Sequence, residues 1–117
     1  MKKKQIQALR SWECDVDGAL ERMCGDEELL LECARMVYDD AGYVQLGEAI
    51  ARQDIQEAFD VAHSLKGIAA NVGLTPLLSA VCDVVECLRA GQCDKLVAGY
   101  QQILRVREGL GLLLGIE

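Results

Sequence analysis

Asp54-Ile-Gln-Glu-Ala-Phe-Asp-Val-Ala-His63-Ser-Leu-Lys66-Gly67-Ile-Ala-Ala-Asn71-Val72 decides how the rest of the chain is read. Its apolar residues Ile55, Ala58, Ala62, Leu65, Ala69 and Val72 step by three and four, the repeat of a helix with one buried stripe. At roughly 100° per residue, the six centre on one direction and His63 points about 130° away from it. The only histidine of the protein is therefore expected on the outer face. Lys66 and Gly67 follow three and four positions later, on that same face. Gln56, Phe59, Lys66, Gly67 and Ala70 all fall within about 60° of His63 at 3.6 residues per turn. Each of the central three has an ordinary use as well: a surface imidazole, a solvated charge, and a small residue where two helices meet. Gly67 weighs against the ordinary set, because glycine inside a helix loses about 1 kcal/mol against alanine.

The stretch Ala62-His63-Ser64-Leu65-Lys66-Gly67-Ile68-Ala69-Ala70-Asn71-Val72-Gly73, with Leu77 beyond it, resembles the signature of histidine-containing phosphotransfer (HPt) domains, the helical carriers of phosphorelays. Similarity of pattern runs from about Val16 to Leu104, through Ala19-Leu20-Glu21-Arg22, Gly25-Asp26, Leu46 and Ile50, and into the helix after Pro76. The resemblance implies that His63 accepts the phosphoryl group, that Lys66 stabilises its charge, and that Gly67 leaves a gap for a partner domain. Ser64 and Asn71 join Gln56, Phe59, Gly67 and Ala70 as the expected partner-binding set, although Phe59 would serve equally in the core. Related domains often carry a polar residue 22 positions after the histidine, where this chain has Val85. Arg89, one turn further, matches a basic position of some relatives and is either an auxiliary cation or a solvated helix-end arginine.

Composition fits that frame. The 117 residues are 51% hydrophobic and 26% charged with one proline, which suits a single folded domain over 1–117 with residues 1–14 as a helical extension. A net charge of −7 argues against nucleic acid as a partner. Lys2-Lys3-Lys4 leads into Gln5-Ile6-Gln7 rather than an apolar core, so no signal peptide is expected, nor any membrane span. A cytoplasmic monomer is the expectation. Cys14, Cys24, Cys33, Cys82, Cys87 and Cys93 include no C-x-x-C pair, and one histidine leaves no standard zinc spacing. No metal or other cofactor of its own is expected, and the thiols are expected reduced, with Cys33, Cys82 and Cys87 acting as small hydrophobes in helices.

The remaining segments read as helices. Ile6, Leu9 and Trp12 mark an amphipathic start over 1–12. Asp15 or Asp17 caps a short helix ending at Gly25, and Asp26 caps another. From Glu27 to about Asp40, Leu29, Leu30, Cys33, Met36 and Val37 suggest one buried stripe. Gly42 then interrupts or bends the helix before Val44, Leu46, Ala49 and Ile50 carry it to Gln53. Asp54 with Glu57 forms a capping box for the His63 helix, and Gly73 closes it. Thr75 as cap and Pro76 begin the next helix, with Leu77, Leu78, Val81, Val84, Val85 and Leu88 before Gly91. The last helix starts near Asp94 and carries Leu96, Val97, Tyr100, Ile103, Leu104, Arg107 and Leu110, with Gly109, Gly111 and Gly115 fraying its end. The sum is an all-α protein: an antiparallel four-helix bundle with an additional N-terminal helix.

A neutral imidazole offers a nitrogen lone pair near pH 7 and takes a phosphoryl group without a separate base. The chain shows no phosphate-cradling glycine loop and no Ser-His-Asp arrangement, so it is not expected to be an enzyme with its own ATP site. In the family it resembles, a receiver domain supplies the aspartate and Mg²⁺, and a hybrid or separate histidine kinase feeds the relay. The leading expectation is a carrier between receiver domains. The alternatives are a phosphoacceptor served directly by a chemotaxis-type kinase, and a non-catalytic helical interaction module.

Overall fold

The computed structural model describes residues 2–116, apart from the Cys93 side chain, and so leaves out Met1, where the segment 1–12 was expected to begin. Seven α-helices account for nearly all of it, with no strand among the described residues: α1 (Lys2–Ser11), α2 (Val16–Arg22), α3 (Glu27–Tyr38), α4 (Gly42–Ala51), α5 (Ile55–Asn71), α6 (Thr75–Ala90) and α7 (Leu96–Leu113), the last entered through a 3-10 turn. Turns of a few residues make successive helices from α4 to α7 antiparallel, and α4 meets α7 to close a four-helix bundle. Ahead of it, α3 lies against α5 and α7, and α1 against α2, α3 and α7. None of the described helices is long and apolar enough to cross a membrane.

Local chemistry sets the helix starts. Asp15, Asp26 and Asp54 each accept a backbone N–H three residues on, from Gly18, Leu29 and Glu57 at 3.0–3.1 Å. The capping box at Asp54 is only half formed. The Asp54 N–H is already taken by the Ala49 carbonyl at 2.9 Å, so the Glu57 carboxylate turns to Arg52 at 2.7 Å instead. Thr75 is the first helical residue of α6, with Leu74 before it, because its hydroxyl donates back to the Gly73 carbonyl rather than capping the helix.

The break between α3 and α4 is a built feature. Arg107 of α7 donates from Nε to the Tyr38 carbonyl at 2.8 Å, and its guanidinium lies over the rings of Tyr38 and Tyr43 at 4.4 and 4.7 Å. The buried Tyr43 hydroxyl donates to the Val37 carbonyl, and the Asp40 side chain accepts the Gly42 N–H. The Tyr38 carbonyl that the end of α3 leaves open is thereby satisfied, the Val37 carbonyl gains a second donor beside the Asp40 N–H, and a cation sits at that end of the helix dipole. Burial pushes the Tyr43 phenol well above its usual pKa.

One core cluster draws on all seven helices. The stripe on α5 is as read, except that Ile55, at the open end of the helix, is 38% exposed. The stripe on α3 is shifted. Leu30, Leu31, Ala34 and Val37 are buried, whereas Met36 is 70% exposed and Leu29 faces out, because α1 and α7 select the adjacent face. Val44 and Val97 are also exposed, since Tyr43 and Leu96 beside them take the core positions. Gly109 and Gly111 do not fray α7. Gly111 backs onto the Tyr38 ring and so serves packing, Gly109 lies in ordinary contact range of Trp12, and the helix runs to Leu113, with Gly115 two residues beyond it at a φ of +76°. The thiols of Cys14, Cys24, Cys33, Cys82 and Cys87 are free. Cys33, Cys82 and Cys87 are half-buried rather than buried, and burial pushes the Cys14 thiol up to about 11.

Gly73 ties the turn between α5 and α6 to the start of α2. It adopts a φ of +72°, and its carbonyl accepts the Asp15 N–H at 2.8 Å. A Cβ there would run into the Asp15 backbone carbonyl. Gly73→Ala is therefore expected to lose at least about 2 kcal/mol, from the left-handed backbone and the clash together, read as a lower urea midpoint.

Candidate functional site

The site is one face of α5, and both ends of that helix are pinned. Asp54 caps its start. At its end Arg22 of α2 donates from Nε to the Asn71 carbonyl at 3.0 Å and from Nη2 to the Ala70 carbonyl at 3.2 Å, placing a cation on the C-terminal carbonyls. Between these fixed points Ala58, Ala62, Leu65 and Ala69 are buried, and the opposite face is open.

His63 is exposed on that open face and makes no side-chain hydrogen bond among the described residues. Phe59, one turn earlier and half-buried, stacks on it with ring centroids 5.8 Å apart and planes 24° apart. Lys66 is half-buried and forms no ion pair among the described residues, so its ammonium is available on the same face. Gly67 is exposed, and a Cβ built there meets nothing within 4 Å. That removes helix packing as the reason for the glycine.

The other expected residues divide. Gln56, Ser64, Ala70 and Asn71 are all exposed on α5, with Gln56 donating to Asp60 at 3.0 Å. Arg89 of α6 is engaged twice: Nη1 lies 2.6 Å from Glu86 Oε1, and Cζ lies 5.8 Å from the Phe59 ring centre. Val85 is fully buried and offers nothing to the imidazole.

The structure adds a surface that the sequence reading did not name. A groove of about 290 Å³ runs beside Gly67 between α3 and α5, with Cys33, Met36, Val37 and Asp40 on one wall and Gly67, Ile68 and Asn71 on the other. Met36 was placed in the core by the reading of α3. The alternative phase through Leu30, Ala34 and Val37 is the signal that would have freed it. Among the described residues no three His, Cys, Asp or Glu side chains converge to hold a metal ion.

A family model described as Hpt domain matches residues 43–111, from α4 nearly to the end of α7. No curated protein and no solved structure matches the chain.

The open space at Gly67 carries a direct consequence for stability. Gly67→Ala is expected to raise it by up to about 1 kcal/mol, the difference in helix propensity, measured by urea unfolding. A loss of stability would show that the position is crowded after all.

Proposed function

Because the chain belongs to the Hpt domain family, whose members are histidine phosphotransfer modules of two-component phosphorelays working with receiver domains and histidine kinases, we propose that it is a phosphocarrier: His63 accepts a phosphoryl group from the aspartyl phosphate of one receiver and hands it to the aspartate of another. The observation that carries this is the exposed imidazole with no hydrogen bond among the described residues, on the same face as Lys66 and the empty space over Gly67.

The step is a simple exchange. The unprotonated ring nitrogen attacks phosphorus, an N–P bond forms, the P–O bond to the receiver carboxylate breaks, and that carboxylate leaves with the bonding pair. Passing the group on reverses the sequence. Charge on the peripheral phosphoryl oxygens is the main electrostatic demand, and such transfers rest on positioning and charge stabilisation. Lys66, one helical turn from the ring, is the group of this chain that meets it. The receiver supplies the aspartate and its Mg²⁺, and this chain supplies no ATP site. Docking uses the α5 face and the groove toward α3, where the exposed Met36 gives an apolar contact beside Gly67. Interfaces of this transient kind are often small, about 1,200 Å² or less in total.

Label that is acid-labile and alkali-stable is expected on the wild type after incubation with phosphorylated receiver domains, and is expected to be absent from His63→Gln with unchanged circular dichroism. Label surviving in that variant overturns the assignment. Transfer from a kinase domain with ATP but from no receiver would instead make this a directly served phosphoacceptor.

Lys66 and Gly67 separate charge from space. Lys66→Ala is expected to keep receiver affinity and slow transfer roughly tenfold, about 1.4 kcal/mol of transition-state stabilisation. Gly67→Gln is expected to keep or slightly raise stability while weakening receiver binding and transfer together, checked by titration and single-turnover kinetics.

A further inference from the structure

We infer that Phe59 is the positioning residue of the imidazole, and that Glu86 and Arg89 of α6 hold Phe59 in place. The inference rests on His63 being the phosphoacceptor. An exposed histidine on a helix samples more than one χ1 and χ2 well unless something restrains it. No hydrogen bond to the ring does so among the described residues, and Val85 is buried and apolar. What touches the ring is Phe59, stacked at 5.8 Å and 24°, inside the range where offset aromatic pairs attract.

Phe59 is itself fixed from two sides. Part of it packs against the core, and the Arg89 guanidinium lies 5.8 Å from its centroid, close enough for a cation–π contact. Arg89 in turn is tied to Glu86 at 2.6 Å, so the series Glu86, Arg89, Phe59, His63 runs from α6 to the imidazole. A stack engages the face of the ring and leaves its edge free. Both nitrogens lie on that edge, so the plane of the imidazole is set without occupying either one. A hydrogen bond would consume a nitrogen to achieve the same restraint. Arg89 therefore acts at one remove, through Phe59.

His63 is the only histidine, so its ring protons are identified in an NMR spectrum without assignment. In Phe59→Leu the two carbon-bound ring protons are expected to move downfield toward free-histidine values as the ring current is lost. Transfer at saturating phosphorylated receiver, where any change of affinity no longer limits the rate, is expected to fall roughly tenfold. Phe59→Tyr, which keeps the ring, is expected to restore both readouts, and Arg89→Ala to move both partway. Wild-type ring shifts in Phe59→Leu overturn the inference, and so do altered shifts with an unaltered saturating rate. A loss of receiver affinity in Phe59→Leu that fully accounts for slower transfer would make Phe59 a docking residue and overturn it as well. The ring shifts are read on unphosphorylated protein. A wild type that never takes label would therefore sink the phosphocarrier reading and leave the stack to be judged separately.

Discussion

The constraint on which the rest depends is the close contact that three fully buried alanines, Ala58, Ala62 and Ala69, allow α5 to make with the helices around it. Small side chains let helix backbones approach, and the dispersion gained by close packing grows with each shared turn. Leu65 fills the one larger hole in the stripe. Once that stripe is buried, the phase of the helix is fixed, and a turn of roughly 100° per residue decides where every other side chain points. His63, Lys66 and Gly67 face outward as a consequence of that phase. The exposure of His63 and Gly67 needs no separate stabilisation, and that leaves this face open.

The second constraint is the break after Tyr38. A continuous helix from Glu27 to Ala51 would have bonded its own carbonyls along the axis. Here Arg107 and the Tyr43 hydroxyl take over at the end of α3, and Tyr100 donates to the Tyr43 carbonyl from α7. Satisfying the Tyr38 carbonyl from outside helps make ending the helix tolerable in a half-buried place. The freed segment α3 then packs on α1 and α7 as well as α5, and its exposed edge carries Met36 to the rim of the groove beside Gly67. A packing device at one end of the bundle thus shapes the surface next to the imidazole.

Features governed by short-range physics were legible in the sequence. The aspartate caps at Asp15, Asp26 and Asp54 and the turn glycines Gly25 and Gly73 depend on residues within a few positions of themselves. The α5 stripe was legible because alanine and leucine alternate with polar residues at an unambiguous period. The α3 face was not. Leu29, Leu30 and Leu31 in succession fit two helical phases equally, and the choice belongs to α1 and α7, distant in sequence. Gly111 misled for the same reason, since low helix propensity suggested fraying while the Tyr38 ring required the space. At the site, the face shared by Phe59 and His63 was visible. Arg89 was visible as a candidate auxiliary cation, but its contact with Phe59 and its tie to Glu86 were not, because the contact crosses from α6.

Helix polarity explains why Phe59 and Gly67 occupy opposite sides of His63 and not the reverse. In an α-helix each Cα–Cβ bond tilts toward the N-terminus, so a long side chain leans back over residues three and four positions earlier. The imidazole of His63 therefore leans toward Phe59 and away from Gly67. A support for the ring has to stand at the earlier position, and a gap for an incoming group has to stand at the later one. With a phenylalanine four positions after the histidine, that ring would itself lean back and cover the imidazole. With a glycine four positions before it, nothing would underlie the ring. The stem of Lys66 follows the same rule and leans back toward His63, the side on which the oxygens of a phosphoryl group would gather under the proposed function. The proposed support, acceptor, charge and clearance thus fall in the one order along α5 that the tilt of the side chains permits.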